Sequence, residues 1–140
     1  MDLTRDFPRS PRETLLGIPM LPRTIDKARA ALSDTLGEYL YGDKSGFDMT
    51  LLEFLGLTPG VFLEGVRESP DDAAMSHWLE SHAPKTPAET KQFATIFLND
   101  GDDDADRARF KERVAKLPAN VQGRVTGWVD LLDVAEGRIA

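Results

Sequence analysis

The sequence predicts an all-α fold: a single compact domain, residues 1–140, of six or seven short helices with a proline-rich N-terminal arm packed on the helical body. Three observations carry this reading. Capping hydroxyls stand directly before proline at Thr58-Pro59, Ser69-Pro70 and Thr86-Pro87, a pairing that marks helix starts because proline at the first helical position forfeits no hydrogen bond. Apolar residues recur at intervals of three and four rather than two. The chain has 140 residues, 41% of them hydrophobic, and no cysteine, so one core must stabilise it without disulfides, and the length suffices for that.

Residues 1–23 read as an irregular basic arm, because Pro8, Pro11, Pro19 and Pro22 remove backbone donors and push the preceding residues out of helical geometry. A helix is predicted at about 24–36, with Thr24 as cap, Ile25, Ala28, Leu32 and Leu36 on one face, and Gly37 as terminator. Residues 38–47 carry turn chemistry at Gly42-Asp43 and Ser45-Gly46. Asp48 then caps a short helix ended by Gly56.

Beyond the Thr58 start, Ser69 with Asp72 and Thr86 with Glu89 form two capping boxes, S/T-x-x-D/E. The first opens a helix with Ala74, Met75, Trp78, Leu79 and His82 on one stripe, stopped by Pro84; the second opens a helix that buries Phe93, Ile96 and Phe97. The acidic stretch NDGDDDAD at 99–106 leads into a helix with Phe110, Val114 and Leu117 inward and Pro118 beyond its end. Val121, Val125, Trp128, Val129 and Leu132 suggest a last helix, or a break with Thr126 capping a separate helix at about 127–135. No segment has the pattern of a strand.

Most familiar chemistries find no motif here. Asp100, Asp102 and Asp104 alternate as in an EF-hand loop, yet Ala105 stands where that loop needs glycine and Lys111 where it needs glutamate. His77 and His82 diverge on a helix by roughly 140° and cannot chelate one ion. No metal or other cofactor is expected. GDKSG at 42–46 matches neither a nucleophile elbow nor a P-loop. The net charge of −7 opposes nucleic acid and anionic membrane as partners, and the absence of cysteine fits a cytoplasmic location. The short apolar run LLGIPMLP is neither a signal segment nor a membrane span.

Against that acidic background one segment is basic. Arg9, Arg12, Arg23, Lys27 and Arg29 gather near the N-terminus with Glu13 and Asp26 among them. Guanidinium forks grip carboxylate or phosphate with paired bonds, which makes these five residues candidates for an anion site. The alternative is that they pin the arm to the acidic body through internal ion pairs.

The segments DLTRDFPRSPRETLLGIPMLPRTIDKARA at 2–30, LGEYLYG at 36–42, FLGL at 54–57, the Trp78 helix and WVDLLDVAEGR at 128–138 together resemble a bacterial family known as domain of unknown function 5069. The resemblance spans the chain and implies no activity, substrate or catalytic residue. The leading functional expectation is a binding or interaction module taking a small anionic ligand or an acidic protein segment. A second is a small enzyme using the arginines as a clamp, with Glu13 or Asp26 as general base and Tyr39 or Tyr41 nearby. A third is a structural homodimer without ligand.

Overall fold

A computed structural model describes residues 1–98, 104–125 and 127–138, with backbone only for 104–109. Among these residues the chain forms eight α-helices and one tiny antiparallel hairpin. Residues 99–103 of the calcium-like loop and Thr126 lie outside the described residues.

The arm is more ordered than its prolines suggest. Strands β1, Thr14–Leu15, and β2, Ile18–Pro19, pair Thr14 with Pro19 and Leu15 with Ile18. Leu16 and Gly17 make the connection at φ 55° and 74°, the two positive values of a tight hairpin turn. No strand was expected, because two-residue strands leave no visible alternation and leucine is not the asparagine or aspartate that signals such turns.

Helix α1 spans Leu21–Leu32 rather than 24–36. Pro22 falls in its first turn, where a missing N–H costs nothing, so it opens the helix instead of blocking it. Thr24 is therefore not a cap but fully buried, its hydroxyl donating to Asp48 Oδ1 at 3.2 Å. Gly37 does not stop the helix either. It sits at φ 62° against the arm, where a Cβ would come within 3.0 Å of the Leu3 carbonyl oxygen.

A 3-10 turn, Gly42–Lys44, leads to α2, Gly46–Leu55. Ser45, not Asp48, caps α2, accepting from the Asp48 amide, which frees the Asp48 carboxylate to turn inward. Helix α3, Pro59–Glu68, starts at Thr58 as predicted, with Thr58 Oγ1 accepting from the Val61 amide at 3.2 Å. Helix α4, Asp72–His82, is capped two residues later than predicted: Asp71 accepts from the Ala74 amide, and Ser69 closes α3. Helix α5, Pro87–Leu98, has the full predicted box, Thr86 and Glu89 exchanging bonds of 3.0 and 3.1 Å.

Helices α6, Asp104–Ala115, α7, Ala119–Gln122, and α8, Trp128–Ala135, complete the chain. A separate α8 follows a break after α7, as the second of the two readings held, but with Gly127 at its N-cap and no side-chain capping bond.

One core joins these elements. Ile18, Met20, Leu21 and Ile25 meet Leu51, Leu52 and Leu55 of α2, Phe62 of α3, Met75 and Leu79 of α4, and Phe93 and Phe97 of α5. Phe54 stacks on Phe93 at 4.3 Å between ring centroids. Ile96, expected inside, is 65% exposed, because the buried stripe of α5 runs through Phe93 and Phe97 and leaves it outside. No single helix among the described residues is long and apolar enough to cross a membrane.

Helices α3 and α4 touch most closely where Gly65 lies under the Trp78 indole, which also stacks on His82 at 4.2 Å. A Cβ at Gly65 would sit 2.6 Å from that ring, and overpacking of this kind costs about 1–3 kcal/mol. Gly65→Ala should lower stability by that amount in urea titration, although alanine favours helix. An unchanged midpoint would show that Trp78 moves aside freely.

Candidate functional site

The basic segment predicted from sequence is drawn together by the fold, and every one of its five cations meets a carboxylate. Arg9 lies between α1 and α4. Its backbone amide, Nε and Nη2 donate to Asp26 at 2.9, 3.1 and 3.1 Å, while Nη1 reaches Asp72 Oδ2 at 2.6 Å. Arg29 approaches the same Asp72 at 3.5 Å. The bond from Arg9 is the main reason the Asp72 carboxyl lies below the usual carboxylate range.

Arg23 is almost wholly buried and grips Glu136 with a two-bond fork, 2.8 Å to Oε1 and 2.7 Å to Oε2. The Tyr39 hydroxyl donates to Glu136 Oε2 at 2.9 Å, and Arg138 pairs with Oε1. Burial alone would raise the Glu136 pKa. The bonds from Arg23, Arg138 and Tyr39 outweigh it and hold the carboxyl below its ordinary value. Tyr39 is pushed up to about 12 by burial and by its bond to that carboxylate.

Arg12 pairs with Asp130 and lies 3.4 Å from Asp133. Asp133 also accepts from Ser10 Oγ at 2.8 Å and from Arg138 at 3.2 Å. Lys27 donates to both oxygens of the fully buried Asp48, at 3.0 and 2.9 Å, and Asp48 also takes the Gly42 amide at 3.0 Å. Burial drives the Lys27 pKa down against the pull of Asp48.

Six cations, counting Arg138, thus face six carboxylates: Asp26, Asp48, Asp72, Asp130, Asp133 and Glu136. The two general-base candidates are engaged as well. Asp26 is occupied by Arg9, and Glu13 accepts from the Ser10 amide at 3.1 Å, closing a turn in the arm. Tyr41 donates to the Pro59 carbonyl at 2.7 Å.

Sequence reading found the cations and missed most of their partners. A signal was present in Asp130, Asp133 and Glu136, three acids at intervals of three. Asp133 and Glu136 fall at the C-terminal end of α8, where the helix dipole disfavours negative charge, and their placement there requires cations from elsewhere.

A separate feature lies between the hairpin tip, the end of α4 and the start of α5. It is a cleft of about 550 Å³ with Ile18, Leu55, Leu79 and Ala83 among its lining residues, and with Lys85 and Lys91 also facing it. Pro84 and Pro87 stiffen its wall. Sequence reading named Leu79 and Pro84 for packing and passed over the lysines, which lie far from the basic segment.

The family model described as domain of unknown function (DUF5069) matches residues 5–138. No curated protein matches the sequence.

The ion pairs set the acid response. Glu136 and Asp72 titrate below their unfolded values in the folded state, so their stabilisation is present above roughly pH 4 and is lost as pH falls through the folded values. Urea midpoints should therefore drop steeply below about pH 4. Glu136→Gln should cost roughly 3–5 kcal/mol at neutral pH by stranding Arg23, and should flatten the acid limb. Asp72→Asn, on the more exposed pair, should cost less and flatten it partly. Parallel pH profiles in wild type and both variants would refute this assignment.

Proposed function

The chain belongs to the DUF5069 family, and we propose that its domain is a binding module whose arginine-rich segment is structural frame and whose ligand occupies the cleft at the hairpin tip. One observation carries the reading. Arg9, Arg12, Arg23 and Lys27 of the basic segment each hold an internal carboxylate, whereas the cleft has the size and apolar floor of small-ligand sites. Its walls are fixed by the hairpin turn and two prolines, which lowers the ordering cost of binding. The enzyme reading has weaker support, since Asp26 and Glu13 are held by Arg9 and the Ser10 amide.

A second reading keeps the arginines as an anion site. Arg29 Nη2 is buried with no hydrogen-bond partner, and Arg9 and Arg29 converge on the half-exposed Asp72. A small anion bound there would satisfy the orphaned nitrogen.

The two readings separate experimentally. Small neutral fragments followed by amide chemical shifts should perturb residues 16–18 and 79–91, and Thr90→Trp, which fills the cleft from α5, should abolish the response. Shifts confined to residues 8–13, or none at all, would defeat the cleft reading. For the second reading, sulfate at a hundredfold excess over its Kd should stabilise by roughly 2.7 kcal/mol, a rise in Tm of about 5–10 °C. The rise should exceed that in chloride of equal ionic strength and should vanish in Arg29→Ala. Equal responses to the two salts would leave the arginines as structural pins.

A further inference from the structure

We infer that Ser45 is the nucleophile of an acyl-transfer site for small carboxylic esters, with Lys27 as its general base and the amides at the start of α2 as its oxyanion donors. The site lies at the opposite end of α2 from Leu55 of the cleft and stands or falls independently of the ligand proposed there. A buried amine in contact with a part-exposed hydroxyl is the first support. The Lys27 side chain is 5% exposed and that of Asp48 fully buried, while Ser45 is part-exposed and its Oγ lies 3.3 Å from Lys27 Nζ. Asp48 accepts two N–H bonds from Lys27, which a neutral amine supplies as well as an ammonium, and the third position on the nitrogen faces Ser45. Asp48 also accepts from the Thr24 hydroxyl and the Gly42 amide, so its charge is held by groups besides Lys27. Burial lowers the Lys27 pKa from that of an ordinary lysine, which favours the neutral base. In that form the hydroxyl of Ser45 donates to the nitrogen lone pair.

The amides of α2 are the second support. The leading N–H groups of a helix lack intrahelical partners. Here the Ser45 amide donates to the Gly42 carbonyl at 2.9 Å and the Asp48 amide to Ser45 Oγ at 3.3 Å. Those of Gly46 and Phe47 remain beside the hydroxyl. A Cβ at Gly46 would meet no atom within 4 Å, so an acyl group has room there. The N–H that follows a nucleophile is a usual oxyanion donor, and the positive end of the helix favours charge developing on Oγ. In the reaction Ser45 Oγ bonds to the ester carbonyl carbon, the carbonyl oxygen takes up negative charge towards these amides, and the hydroxyl proton passes to Lys27 Nζ. Lys27 then gives that proton to the departing alkoxide as the ester C–O bond breaks. Water attacks the acyl-serine in turn, its proton returning through Lys27 to Ser45 Oγ as the carboxylic acid leaves.

An alkyl fluorophosphonate tests the site on the full chain, with peptide mass spectrometry as the readout: Ser45 Oγ displaces fluoride from phosphorus and the proton again goes to Lys27. Ser45 should be labelled about 100-fold faster than the exposed Ser33 and Ser81. Neutral Lys27 increases as pH rises through its lowered pKa, so the rate should level off below the ordinary lysine value of about 10.4. The charged groups bearing on Lys27 are Asp48, Arg23 and Glu136, two carboxylates and a guanidinium that do not titrate in that range. Ser45→Asn, which keeps a capping side chain, should remove the adduct with little change in Tm. Lys27→Arg keeps the pair with Asp48 but cannot give up its proton, and should slow labelling by about the same 100-fold. p-Nitrophenyl acetate should be turned over by wild type and not by Ser45→Asn, and equal turnover in the two overturns the ester assignment. Ser45 reacting no faster than Ser33 and Ser81, or a rate that climbs with hydroxide without levelling, overturns the proposal and leaves Ser45 a helix cap. Undiminished labelling in Lys27→Arg overturns it as well.

Discussion

The Arg23–Glu136 pair is the constraint on which the rest of this structure depends. It joins residues 113 apart in sequence through two bonds of 2.8 and 2.7 Å, with both side chains about 95% removed from solvent. Two charges moved out of water lose hydration worth several kcal/mol each, and only near-ideal geometry with further hydrogen bonds recovers it. Both conditions hold. The fork is bidentate, Tyr39 and Arg138 take further places on Glu136, and Arg23 also donates to the Arg9 carbonyl at 3.3 Å. Such a pair adds little to net stability over a well-packed apolar contact, but a mismatched partner is severely penalised.

That penalty fixes the arrangement of the chain ends. Once Arg23 holds Glu136, the start of α1 lies against the end of α8, and the arm between residues 8 and 13 lies alongside both. Ser10 and Arg12 then reach Asp133 and Asp130, and Arg138 donates back to the Pro8 carbonyl. On the adjoining face of α1, Lys27 and Thr24 meet Asp48, drawing in α2. The apolar core is non-directional and would tolerate several packings of short helices. Directional charge pairs on successive faces of α1 select one. The arm leaves this frame as the β1–β2 hairpin, whose tip reaches α5 and there completes a cleft remote from the paired charges.

Much of the helical architecture was legible because it is set locally. Thr58-Pro59 and the Thr86–Glu89 box mark their helices through bonds made within four residues, and Gly56 ends α2 where predicted. Where two local solutions compete, the prediction failed. Ser69 and Asp71 both offer a cap for α4, and the chain uses Asp71 because Ser69 is buried as the close of α3. Asp48 would cap α2 acceptably, but Lys27 engages its carboxylate, so Ser45 takes the cap. The hairpin escaped notice because two-residue strands have no periodicity to read.

Of the site, the sequence by itself determined the inventory: a cluster of arginines in an acidic chain, a helical class, and no cysteine. It left open whether those arginines await an anion or already hold one. Which carboxylates they meet within the chain was decided by tertiary structure, since the partners Asp72, Asp130, Asp133 and Glu136 lie 43 to 121 residues from those arginines. Local propensity depends on energies between neighbours a few residues apart. Charge pairing and cleft formation depend on which distant surfaces the core brings together, and no single stretch of the chain encodes that.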